Sequence, residues 1–217
     1  MKIIRISLYK LAIPLKEPFI TSLGVDTDAL NVLVKIETDA GITGFGECSP
    51  YMPINGESQE TCYIVGQYFA KVLLGKNPLY INDAIQLMDS VIYLNNSIKS
   101  AFDMALFDIA AQEAGQPLWK FLGGDANKEI ITDYTVSIGE PSKIPIRIDA
   151  NQGWSIEEAI TTLQALAAFD IQHCEEPISR HLYTELPRVK KESPIPIMAD
   201  ESCGDPHDAA RLIAIHA

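Results

Sequence analysis

Three apolar runs in the second half of the chain each end on an acid. Asp149 closes Arg147-Ile148-Asp149-Ala150-Asn151, Glu175 sits in Cys174-Glu175-Glu176-Pro177, and Asp200 in Ala199-Asp200-Glu201-Ser202. The acids stand 26 and 25 residues apart. A parallel strand returns to its neighbour only after a crossover of about 10 to 12 residues or more, and an eight-unit (β/α) barrel uses roughly 30 residues per unit. The spacing therefore predicts consecutive strands of a TIM-type (β/α) barrel, with the acids at the C-terminal ends that form its catalytic face. The sequence between them agrees. A helix is expected over 156–168, opened by Ser155 and Glu158 in capping-box spacing. Strands are expected over 171–175 and 195–199, and Asp205 before Pro206 marks the start of a last helix.

The first half follows a different grammar. Ile4, Ile6 and Leu8 alternate with polar neighbours, as do Val32, Val34 and Ile36 before the hairpin turn Asp39-Ala40-Gly41, and another strand follows over 42–48. A loop rich in turn residues covers 50–56. Over 97–112, Ile98, Ala101, Phe102, Ala105, Leu106, Ile109 and Ala110 fall in one helical stripe that Gly115 and Pro117 end. Sheet first and helices after is the pattern of an α+β domain. The boundary is placed at Gly123-Gly124, giving an α+β domain over 1–125 and a (β/α) domain over 126–217.

The second domain is expected to be incomplete. Only Gly139-Glu140-Pro141-Ser142-Lys143 separates a strand pattern over 132–138 from one over 144–150, too little for a parallel crossover. One βα unit is missing by this reading. The chain also stops inside an apolar helical stretch, 209–215, and so few strands cannot close a barrel.

Three carboxylates on one barrel mouth repel one another unless they share a cation, and a hard divalent ion with oxygen ligands fits: Mg²⁺ first, Mn²⁺ as the alternative. Any one of the acids alone reads better as a helix cap or a solvated loop residue; three in register favour the metal. A net charge of −12 repels nucleic-acid backbones and anionic membranes. No run approaches the roughly 18 apolar residues of a membrane span and no leader pattern opens the chain, so a cytoplasmic protein is expected. Cys48, Cys62, Cys174 and Cys203 show no CxxC spacing and read as reduced thiols, Cys174 as a small buried hydrophobe. His173, His181, His207 and His216 form no ligand-spaced pair, and Trp154 reads as a packing anchor.

The stretch Arg147 to Trp154, Glu175-Glu176-Pro177 and Ala199-Asp200-Glu201-Ser202 resemble the three metal-ligand motifs of the muconate-lactonizing subgroup of the enolase superfamily. Ser100 to Asp108, with Gly115-Gln116-Pro117-Leu118 through Gly123-Gly124, is similar to the helical signature closing that family's capping domain. Asp133-Tyr134-Thr135-Val136-Ser137 and the N-terminal strands look most like dipeptide epimerases of the Ala-Glu type. Muconate cycloisomerase, o-succinylbenzoate synthase and N-acylamino acid racemase share the metal motifs and remain alternatives.

The resemblance implies an α+β capping domain before the barrel and Asp149, Glu175 and Asp200 as ligands of Mg²⁺. It implies a racemase or epimerase that removes the proton α to a carboxylate through an enediolate. The expected partner is a small carboxylate, such as a dipeptide, in a self-associating enzyme that binds neither nucleic acid nor membrane. Loops around Phe19, Ile20, Thr21 and Ser22 and around Tyr51, Met52, Pro53 and Ile54 are expected over the substrate, where they exclude water.

Asn151 and Glu201 are candidates to support the metal ligands from behind, although Asn151 reads equally well as a cap of the next helix. Strand alternation turns Glu176 and Glu201 away from the site and reads them as salt-bridged flanking acids. The chain departs from the family in its acid/base residues. No Lys-x-Lys, which the family carries on its second barrel strand, occurs anywhere, and the sixth-strand lysine would lie beyond Ala217. Lys143 stands at the short junction in unrelated surroundings, so no catalytic residue is assigned. A molecule this short is expected to be inactive; the alternatives to an intact enzyme are a fragment or a degenerate paralogue.

Overall fold

The computed structural model describes residues 1–21, 24–130 and 146–217, Ile20 and Thr21 by backbone alone. The expected strand over 132–138, the dipeptide-epimerase-like segment within it, the junction with Lys143, and Ser22 lie outside the described residues. The described chain falls into two compact units. Among the described residues no helix is long and apolar enough to cross a membrane.

The first unit holds β1 (Ile3–Thr21) as far as Phe19, β2 (Gly24–Thr38) from Asp26, and β3 (Thr43–Cys48), in a sheet of order β1-β2-β3 with β2 and β3 antiparallel. The alternation read from the sequence is the inward face: Val32, Val34 and Ile36 are fully buried. The segment at Phe19 to Thr21, expected as a loop, instead continues β1. Pro14 and Pro18 argue against strand in a central position, but β1 is an edge, where a missing N–H costs no ladder bond. Phe19 stands exposed there.

The loop expected around Tyr51 also needs correction. Pro53 at the start of a turn and a left-handed Gly56 at its end make a one-turn helix, α1 (Met52–Asn55), with Tyr51 as its N-cap. Met52 is exposed and Ile54 half-buried. Three longer helices follow: α2 (Gln59–Leu73), α3 (Ile81–Val91) and α4 (Asn96–Glu113), then the short α5 (Leu118–Phe121). α2 buries Cys62, Val65, Phe69 and Leu73 at helical spacing behind a Ser58–Thr61 capping box. α4 is the stripe expected over 97–112, with Ile98, Ala101, Phe102, Ala105, Leu106 and Ile109 all fully buried.

Two glycines let α4 lie directly on the sheet. A Cβ at Gly44 would sit 2.2 Å from the Ala105 carbonyl oxygen, and one at Gly46 would sit 1.9 Å from that of Ala101. The Gly-Gly face of β3 and the Ala-Ala face of α4 bring backbone against backbone, with Phe69 and Phe102 packed edge to face at 5.6 Å beside them.

The second unit contains β4 (Ile146–Asp149), β5 (Ile171–Glu175) and β6 (Ile197–Met198), parallel and in that order. Between them run α6 (Ile156–Ala165), a 3-10 turn over Leu166–Ala168, and α7 (Leu186–Glu192); α8 (Pro206–Ala214) follows β6. Ser155 and Glu158 close the expected capping box and Asp205 caps α8. Ala159, Ile160, Leu163, Leu186, Val189 and Leu212 from the helices bury against Cys174 and Ile178. Ile148 and Ile197 pack against the same cluster, and Trp154 joins it, paired with Ile178 through an isolated bridge.

Candidate metal centre

Strand register decides where the acids go. Asp149 pairs with Glu175 across β4 and β5, and Glu175 with Met198 across β5 and β6. Asp200 lies two residues past Met198. Successive strand residues point to opposite faces. Ile148, Cys174 and Ile197 turn to the helix-side core, so Asp149, Glu175 and Asp200 share the parity of the other face. The even spacing in the sequence thus becomes three acids at the C-terminal ends of adjacent parallel strands.

The turns after these strands are tied to one another by backbone hydrogen bonds. Ala150 N–H donates to the Glu175 carbonyl at 3.1 Å and Gln152 N–H to the Glu176 carbonyl at 2.8 Å. Glu176 N–H donates to the Met198 carbonyl at 2.9 Å. Asn151 (φ 41°), Gln152 (φ 65°) and Glu176 (φ 31°) all hold positive φ, as only six non-glycine residues among the described ones do. Such strain persists where the surroundings over-determine it, and it concentrates at functional sites.

Each acid has a distinct setting. Asp149 accepts from the Asn151 N–H at 2.8 Å through Oδ1 and from the Asn151 side-chain amide at 2.7 Å through Oδ2. Glu175 is half-buried. Burial raises the pKa of Asp200, and the charges of Asp149 and Glu176 raise it further. Burial, then Asp149 and Glu175, push the Cys174 thiol up to about 12, so it is protonated and inert at neutral pH. The field of the acids therefore reaches across all three strand ends.

Among the described residues, no three His, Cys, Asp or Glu side chains are gathered closely enough to hold a metal ion. The structure brings Asp149, Glu175 and Asp200 to one edge and one face without drawing their carboxylates together. The donor chemistry still fits a hard divalent ion: carboxylate oxygens on one face, with Asp200 already penalised for its charge by burial and by Asp149.

The flanking acids differ from the salt-bridged surface residues expected. Glu176 is fully buried, and its carboxylate takes three hydrogen bonds from the turn after β6: Asp200 N–H at 2.7 Å and Ser202 N–H at 3.0 Å to Oε2, and the Ser202 hydroxyl to Oε1. Glu201 is also buried, with neither carboxylate oxygen hydrogen-bonded among the described residues, and burial raises its pKa. Both side chains are buried in the protein rather than placed on its surface. The pairing of each acid with a second acid, Glu175-Glu176 and Asp200-Glu201, is the sequence signal that pointed to them.

Comparison with known proteins gives the family of both parts of the chain. Residues 3–123 match the family model described as mandelate racemase / muconate lactonizing enzyme, N-terminal domain, and residues 111–217 match that described as enolase C-terminal domain-like. The chain is 49% identical to a D-Ala-D/L-Ala epimerase of Cytophaga hutchinsonii over 258 residues, spanning 100% of this chain and 70% of that protein. It superposes on the crystal structure of a dipeptide epimerase from Cytophaga hutchinsonii, complexed with Mg and the dipeptide D-Ala-L-Val, with a TM-score of 0.94. That match has 49% identity and covers 100% of this chain and 70% of that one. A dipeptide epimerase from Enterococcus faecalis V583, complexed with Mg and L-Leu-L-Tyr, superposes with a TM-score of 0.93 at 30% identity, covering 99% and 72% of the two chains. The 258 residues of the first match exceed the 217 of this chain by 41, so its aligned span holds positions with no counterpart here.

Proposed function

The chain belongs to the mandelate racemase / muconate lactonizing enzyme family of the enolase superfamily, and from that premise we propose that it carries the metal-binding part of a Mg²⁺-dependent dipeptide epimerase. The observation that carries the reading is the register of the acids. Asp149 and Glu175 are strand partners at the C-terminal ends of adjacent parallel strands, and Asp200 follows on the next. The relatives complexed with Mg and dipeptides direct it to dipeptides rather than to muconate or succinylbenzoate.

Asp149, Glu175 and Asp200 would hold the ion. When bound, Mg²⁺ supplies positive charge to a substrate carboxylate, which stabilises the negative charge that develops as the neighbouring α-proton leaves. The chain's own contribution is to hold the ligands. Asn151 fixes both oxygens of Asp149, and the buried helix-side core keeps the three strand ends in register. A proton must also be taken and returned, and a lysine pair does this in the family. This chain has no Lys-x-Lys. We place the shortfall of 41 positions at the five-residue junction after Ile138, where one βα unit with that lysine motif is missing. The boundary between capping and barrel parts falls near residue 125.

The test follows α-proton exchange by NMR in deuterated water over a library of Ala-containing dipeptides. It compares the 217-residue chain with a longer version that carries the segments the Cytophaga relative has and this chain lacks. Exchange in the longer version that needs Mg²⁺ and stops on chelation is expected, with none in the 217-residue chain. Exchange that persists after chelation, or none in the longer version with any dipeptide, would overturn the assignment.

A further inference from the structure

Glu176 is joined to both neighbouring strand ends by every polar group it has. Its carbonyl accepts from Gln152 in the turn after β4, and its N–H donates to Met198 at the end of β6. Its carboxylate then reaches past β6 to accept from the N–H groups of Asp200 and Ser202 and from the Ser202 hydroxyl. The side chain is fully buried and Ser202 is 3% exposed, so water does not compete for these bonds. A buried backbone N–H without a partner is costly, and two N–H groups on one oxygen fix the path of the turn between them. That turn carries Asp200. β6 itself is only two residues long, Ile197–Met198, so the ladder does not fix Asp200 unaided.

We propose that Glu176 is a positioning residue that sets where Asp200 presents its carboxylate to the divalent ion, and that it acts through hydrogen-bond reach rather than through its charge. The inference rests on the metal-binding reading above and extends it. The Glu176 carboxylate is spent on the backbone and hydroxyl of the turn after β6, so on this proposal it acts through that turn rather than on the ion. Its left-handed backbone at φ 31° is the cost of sending the carbonyl to one neighbour and the carboxylate to the other.

Reach and charge can be separated by two conservative substitutions. Glu176→Gln keeps the length and removes the charge. The amide oxygen can take both N–H donors and the amide NH₂ can donate to the Ser202 hydroxyl, which is free to turn and accept. Glu176→Asp keeps the charge and withdraws the acceptor by one methylene, beyond hydrogen-bond distance of the turn.

Mg²⁺ binding to the purified 217-residue chain is measured by calorimetry, with circular dichroism and metal-free melting as controls. The inference expects Glu176→Gln to bind within about threefold of the parent and Glu176→Asp to bind about tenfold or more weakly, the scale typical of groups supporting metal ligands. The reverse order would assign the effect to charge and overturn it. Parent-like affinity in a Glu176→Asp variant that only melts earlier would reduce Glu176 to a fold contact and also overturn it. If Glu176→Asp does not fold, Ser202→Ala removes one of the three donors, and unchanged affinity there overturns the inference. A parent chain that binds no Mg²⁺ fails the metal-binding reading itself, and this inference with it.

Discussion

Among the described glycines the sharpest steric demand is at Gly46, and replacing it by alanine tests how closely helix and sheet must approach. The added Cβ would lie 1.9 Å from the Ala101 carbonyl oxygen and 2.9 Å from both the Ala101 carbonyl carbon and the Ala105 nitrogen. A carbon and a carbonyl oxygen rest no closer than about 3.3 Å, so the shortfall is roughly 1.4 Å against backbone, which cannot rotate away. Relief requires α4 to lift from β3, where its fully buried Ile98, Phe102, Leu106 and Ile109 also pack. A gap of 0.5 to 1 Å already forfeits about a quarter to a half of each contact's dispersion energy, and overpacking alone costs about 1–3 kcal/mol. A loss of about 3 kcal/mol or more is expected, read as a fall in the urea midpoint by circular dichroism. Phe45→Ala, next door but on the exposed face, serves as the control and should cost less than about 1 kcal/mol. Gly46→Ala within about 1 kcal/mol of the parent would refute the close-approach argument.

Asp149→Ala should abolish measurable Mg²⁺ binding with the far-ultraviolet spectrum unchanged, while Asn151→Ala, which frees Asp149 from two hydrogen bonds, should weaken binding about tenfold by calorimetry. Ser155→Ala removes the side-chain acceptor at the start of α6 and should cost about 1 kcal/mol in urea unfolding. Glu37 is held down at about 2, first by its hydrogen bond to Arg5 and then with help from Lys35. The unfolded chain therefore binds more protons between that value and about 4.3, the ordinary glutamate value. Stability from this pair is present above the ordinary value and lost as pH falls through 2. Arg5→Gln should raise the Glu37 titration midpoint seen by carbon NMR and flatten the acid limb of the stability curve; an unmoved midpoint would contradict the pairing.

The parts of the fold with one dominant local signal were legible in the sequence. The stripe from Ile98 to Ile109 became α4, the run from Ile171 to Glu175 became β5 without a residue's shift, and Ser155 with Glu158 closed the box expected of their spacing. The even spacing of the acids gave their strand ends. Less legible were features where tertiary context outweighs local preference. Pro14 and Pro18 read against a strand, yet an edge position tolerates both. α2 holds Gly66 in its middle, a poor helix former, because Leu8 and Ile98 close over that spot; a Cβ there would lie 2.3 Å from Leu8 Cδ2. Glu176 was read wrongly for its surroundings. Alternation says which face a side chain takes, but not that the next strand's turn will supply three donors there.

The proposed function divides along the same nearest-neighbour logic that shapes the second unit. In a parallel strand–helix repeat, each strand is held by the strand beside it and the helices against it; among the described residues β4, β5 and β6 pair in that order and α6, α7 and α8 share one buried core with them. The supports of the acids are equally local. Asn151 is two residues from Asp149, and Glu176 reaches only to the next strand's turn. If the proposed unit before β4 is the one this chain lacks, these local supports of the acids remain while the lysine motif of that strand is lost. On the proposed function, metal binding and proton transfer belong to different strands, so Mg²⁺ affinity and α-proton exchange should separate in the 217-residue chain.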